Sequence, residues 1–124
     1  MAKQQIPFFV PLSVSLSSGA EGSFQYQNSS NRRFVIERIH QKATGDFDII
    51  DWSNNSSDQF SPASNSNPMD GESLPSMDKD TDIPANLPIP LTLEGQEIVK
   101  WTLLNKTATT NVVRFTLSGY LELG

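Results

Sequence analysis

An all-β fold, built as a single antiparallel β-sandwich, is what this 124-residue sequence predicts, and three observations predict it. Apolar residues recur at every second position in run after run, the period of a strand with one face buried and the other wet. Clusters of Gly, Pro, Asn, Asp and Ser separate the runs and supply turns. No stretch carries three turns of amphipathic helix. Short alternating strands, regular breaks and no helix together make a sandwich or a barrel.

The first run sets Phe8, Val10, Leu12, Val14 and Leu16 against Phe9, Pro11, Ser13, Ser15 and Ser17. Pro11 cannot donate to a ladder, so this strand belongs at a sheet edge. Turn signals at Ser18-Gly19 and Glu21-Gly22 lead to residues 23–27, where Phe24 and Tyr26 share a face. A polar turn at 28–31 precedes residues 34–41, rich in β-branched and aromatic side chains. On straight alternation His40 shares a face with Phe34, Ile36 and Arg38. The short Gly45-containing connection KATG reads as a hairpin into residues 46–51, which align Phe47 with Ile49.

From 53 to 86 the composition turns to Ser, Asn, Asp and Pro, a long polar loop within one domain spanning 1–124. A structureless connection of that length is functional or disordered far more often than neutral. Residues 87–93 resume alternation, with Pro88 and Pro90 placing that strand at another edge. Residues 97–104 and 112–123 complete the set, and Gly119 inside the last run marks a bulge or a close backbone approach. The inward positions predict a core of Val14, Phe34, Ile36, Phe47, Ile49, Leu91, Trp101, Val113, Phe115 and Leu117. A jelly-roll or immunoglobulin-like sandwich accommodates them; periodicity does not choose the strand order.

Bulk properties narrow the function. A net charge of −5 and a pI near 4.6 repel nucleic acid and anionic lipid, so neither nucleic acid nor membrane is an expected partner. With no cysteine, stability has to come from core burial or from association. The opening MAKQQIPFF lacks the apolar core of a secretory signal, and no run approaches the roughly 20 apolar residues of a membrane-spanning helix. Synthesis in a cytoplasm is expected.

Each candidate chemistry meets a simpler reading. His40 is the only histidine and no nucleophile elbow accompanies it, so it is expected at a surface or an interface and not in a triad. Asp78, Asp80 and Asp82 alternate as some calcium ligands do, but Ile83 and Ile89 occupy the positions where an EF-hand needs Gly and Glu. Asp46, Asp48 and Asp51 suggest paired glycosidase carboxylates, yet outward carboxylates on a solvated strand account for them. Trp52 and Phe60 flank the polar loop and could stack on a sugar, whereas Trp101 lies on a core face with Val99 and Leu103. The Asn-x-Ser/Thr triplets at Asn28, Asn55 and Asn105 read as turn chemistry. No catalytic, cofactor-binding or metal-ligating residue is expected, and the chain is expected not to be an enzyme.

The segment order VPLSVSL, RFVIERI, GDFDIID, a long polar stretch, LPIPLTLEGQEIVKWTLLN and TNVVRFTLSGYLEL resembles small β-sandwich virion structural proteins of bacteriophages, of the head-decoration, cement or minor capsid type. That resemblance implies a homo-oligomeric structural protein fastened to a capsid or another virion lattice, made in the host cytoplasm and located in the virion. Its partners would be itself and other virion proteins. The alternative is a carbohydrate- or receptor-binding module on a phage fibre or spike. The polar loop is too poor in apolar surface to order itself, so its larger side chains are the expected partner-binding anchors: Trp52, Phe60, Met69, Leu74, Met77 and Ile83.

Overall fold

Alternation becomes eight strands. In the computed structural model, which describes residues 4–54, 60–64, 66–71 and 86–123, they are β1 (Gln4–Leu16), β2 (Glu21–Gln27), β3 (Arg33–Ala43), β4 (Phe47–Asn54), β5 (Met69–Asp70), β6 (Asn86–Leu93), β7 (Ile98–Asn105) and β8 (Asn111–Leu123). They form two four-stranded sheets, ordered β1-β8-β3-β6 and β2-β7-β4-β5, with every pairing antiparallel.

That order has a simple origin. The pairs β1 with β8, β2 with β7, β3 with β6 and β4 with β5 are those of one long hairpin folded at its middle. Rolling the hairpin adds the contacts β3 with β8 and β4 with β7 and deals its pairs alternately to two sheets. This is jelly-roll wiring, the double-sheet, eight-stranded solution to open sheet edges; it is not the immunoglobulin order. As the proline positions foretold, β1 and β6 are edge strands.

The core lies between the sheets. Phe34, Ile36, Phe47, Ile49, Trp101, Val113, Phe115 and Leu117 are all buried, while Val14 and Leu91 are half-buried against them. Phe115 sits at the centre of an aromatic cluster, with ring centroids 4.8 Å from Phe24, 5.3 Å from Trp101 and 6.1 Å from Phe47. Truncating such a ring costs about 3–5 kcal/mol.

Three expectations are corrected. The KATG connection is not a hairpin, because β3 lies in the first sheet and β4 in the second. It arches across the sandwich, held by Asn111: Oδ1 accepts from Thr44 Oγ1 and Gly45 N at 3.0 and 3.1 Å, and Nδ2 donates to Gly45 O and Asp46 O at 2.9 and 3.0 Å. Second, β3 carries a bulge between Ile36 and Arg38. One extra residue reverses every later side chain, so Ile39 and Gln41 turn inward and Arg38 and His40 share the outer face, opposite to Phe34 and Ile36. Gly119 faces this bulge, where a Cβ would overlap the Val35 carbonyl oxygen; the close approach expected there is present. Third, the stretch 53–86 is not one uninterrupted loop: β4 runs through Asn54, β5 pairs Asp70 with Asp48 and Met69 with Ile49, and Phe60 N donates to Trp52 O at 2.9 Å.

Candidate partner interface

The expected partner-binding residues divide into two groups. Leu74, Met77 and Ile83, with the Asp78–Asp82 run and Asn55, lie outside the described residues. Trp52, Phe60 and Met69 are turned to the molecule's own core. On straight alternation from Phe47 and Ile49, Trp52 would face solvent. A second bulge between Ile49 and Asp51 reverses it. Trp52 is consequently 9% exposed, stacked on Trp101 at 5.7 Å and 28°, and covered by Phe60 at 5.9 Å. Neither indole Nε1–H has a hydrogen-bond acceptor among the described residues, so ring packing is what holds both. Met69 is half-buried against the same cluster. All three pack against the core, and Trp52 with Phe60 does not form an open sugar-stacking platform.

Asp46, Asp48 and Asp70 line a recess of about 210 Å³ with Phe47 and Lys106. Lys106 Nζ reaches Asp48 Oδ2 at 3.6 Å. Asp51, past the β4 bulge and opposite Thr102, does not line this recess. Among the described residues no three side chains are placed to hold a metal ion.

The outer face of the first sheet is different in kind. Alternation in β1 turns Phe9 outward, where it is 67% exposed, among the described residues the large apolar side chain most open to water. Exposed Pro7 and Pro11 flank it. The register places Tyr120 beside Pro7, Ser118 beside Phe9 and Thr116 beside Pro11; on the next strand Val35, Arg38 and His40 continue those rows. Below them Lys42 stands directly opposite Arg114. Arg33 completes the basic set, bonded to Glu94 at 3.0 Å and Glu122 at 3.7 Å.

The outer face of the second sheet is mainly acidic. It carries Glu21, Asp48, Asp51 and Asp70 against Lys100 and Lys106, and Asp48 stands directly opposite Asp70. The first sheet's outer face, by contrast, mixes Arg33, Arg38, Lys42 and Arg114 with Glu37 and Glu122 around the exposed Phe9. The exposed Phe9 could have been found from its outward position in β1. The outward turn of Arg38, His40 and Lys42 could not, because straight alternation puts them on the face of Phe34 and Ile36 and only the β3 bulge reverses them.

No family model matches this sequence, and neither a curated protein nor a solved structure is significantly similar to it.

Proposed function

We infer that this chain is a virion structural protein of the decoration, cement or minor capsid kind, which associates with itself and docks on a protein lattice through the outer face of its first sheet. The observation that carries the docking is the exposed Phe9 patch. An exposed aromatic framed by prolines buries well against a partner at little entropic cost. The fitting partner surface is partly apolar. The step from docking protein to virion component rests on the fold, since jelly rolls build viral capsid domains as well as lectins, and on the segment-order resemblance. Fold analogy alone does not assign a function. The lectin reading loses its best aromatic pair, because Trp52 is in the core.

The test is sedimentation of a lysate from the chain's natural source. The chain should travel with particles at a fixed stoichiometry, and a Phe9→Asp chain with an unchanged melting temperature should remain in the soluble fractions. A wild-type chain found wholly in the soluble fractions overturns the reading.

A further inference from the structure

A jelly roll leaves four strand edges, and an open edge is a template for another strand unless it is blunted. Three of the four are blunted here. β1 carries Pro7 and Pro11, β6 carries Pro88 and Pro90, and β5 has only two residues. β2 has none of these devices. It spans seven residues, pairs with β7 without a bulge, contains no proline, and has one charged residue, Glu21, at its end.

The hydrogen bonds fix which groups that edge offers. Asn105 N donates to Ala20 O at 3.0 Å, and Asn28 N donates to Glu97 O at 2.9 Å. Even-numbered residues of β2 therefore bond to β7, and Glu21, Ser23, Gln25 and Gln27 turn their N–H and C=O groups to the open side.

We propose that β2 is a strand-addition site and that its occupant is β2 of a second copy of this chain, paired antiparallel about a two-fold axis at Phe24. In that register Glu21 meets Gln27 of the copy and Ser23 meets Gln25, so all four outward residues both donate and accept. No like charges oppose one another, and Tyr26 lies across from Gly22, an aromatic over a glycine. The two second sheets become one continuous sheet. Pro7 and Pro11 keep the neighbouring β1 edges from pairing, which confines the junction to one layer. This deepens the proposed self-association and names its surface.

Sedimentation of the full chain over a range of concentrations, with hydrogen exchange at the Ser23 and Gln25 amides, tests it. A dimer is expected whose formation slows exchange at both amides. Gln25→Pro removes only an outward N–H, as Pro7 and Pro11 do in β1, and should weaken the dimer by about a hundred-fold or more. If Gln25→Pro does not fold, S23K/Q25K decides, because it leaves the backbone intact and sets lysine against lysine across the axis. A dimer that survives these changes, with both amides exchanging freely in the unsubstituted chain, overturns the edge assignment and leaves self-association standing. A monomer at every concentration overturns both. Amides protected only when some other protein is added would give the edge to a foreign strand and overturn the second copy.

Discussion

Two ends of the sandwich use the same Asn-x-Ser/Thr pattern to turn the chain between sheets, and they use it with different reach. At one end, Asn28 leads β2 into the connection to β3. Its Oδ1 accepts from Ser30 N and Oγ at 3.3 and 2.9 Å, and its Nδ2 donates to Arg32 O at 2.7 Å and Leu93 O at 2.9 Å. At the other end, Asn105 leads β7 toward β8. Its Oδ1 accepts from Thr107 N and Oγ1 at 2.9 and 2.8 Å, and its Nδ2 donates to Thr109 O and Ser17 O at 2.9 Å each and to Leu16 O at 3.2 Å. Each Asn-x-Ser/Thr is thus a buried Asx turn whose amide also ties down a second connection. The Asn105 corner goes further: Asn111 Nδ2 reaches Asn105 Oδ1 at 3.4 Å, and Asn111 holds the arch at Gly45 and Asp46. One corner joins two connections and the other joins three.

The largest expected effect follows from that difference. Asn105→Ala leaves buried carbonyls without donors in two connections and loosens a third, and should cost about 3–5 kcal/mol in denaturant unfolding. Asn28→Ala, which strands carbonyls in two connections and leaves the third untouched, should cost about 2–3 kcal/mol. Equal losses would break the comparison, and a loss below about 1 kcal/mol at Asn105 would show that the corners are ornaments on a fold held by its core.

A smaller effect isolates the part the two corners share. In each, the hydroxyl two residues after the asparagine bonds both to the asparagine Oδ1 and to a carbonyl further on: Ser30 Oγ to Arg32 O at 3.2 Å and Thr107 Oγ1 to Thr109 O at 2.8 Å. Ser30→Ala and Thr107→Val should each cost about 1 kcal/mol, and by similar amounts, because neither hydroxyl reaches the third connection. Thermal or urea unfolding of the two variants side by side checks this. A Thr107→Val loss as large as that of Asn105→Ala would move the tie from the amide to the hydroxyl.

The corners also show what could be read in advance. Asn28 and Asn105 were readable as turn residues, because short polar side chains compete for the backbone locally. Which distant carbonyls they would hold was not, since Leu93 and Leu16 are brought to them only by the rolled topology. Strands without irregularities, β1, β7 and β8, showed their buried face plainly in the alternation. His40 was placed on the wrong face, and Trp52 was read as a contact beside the loop and not as core, because in each strand a bulge inserts one residue and nothing in Glu37 or Ile50 marks where it falls. β5, two residues inside a polar stretch, offers no period at all. The edges were readable from Pro11, Pro88 and Pro90, since a missing N–H has a single physical meaning in a ladder.

The smallest expected effect asks whether the two ends loosen separately. Tyr26 lies two residues before Asn28, its ring packed edge-on to Phe34 at 5.9 Å. Burial raises its pKa above the usual 10.0. A raised folded pKa means that the unfolded chain ionises first, so this contribution to stability is fully present below about pH 10. It is lost as the pH climbs from there through the folded value. Tyr26→Phe removes the group that titrates and should flatten that part of the stability profile. Because Tyr26 adjoins the Asn28 corner, alkaline loosening should begin there. Amide exchange at Ser30 and Gln96, which are bonded to Asn28 Oδ1 and Asn28 O, should quicken before exchange at Thr107. Simultaneous quickening at both ends, unchanged in Tyr26→Phe, would mean that the sandwich opens as one unit and that the two corners differ in strength alone.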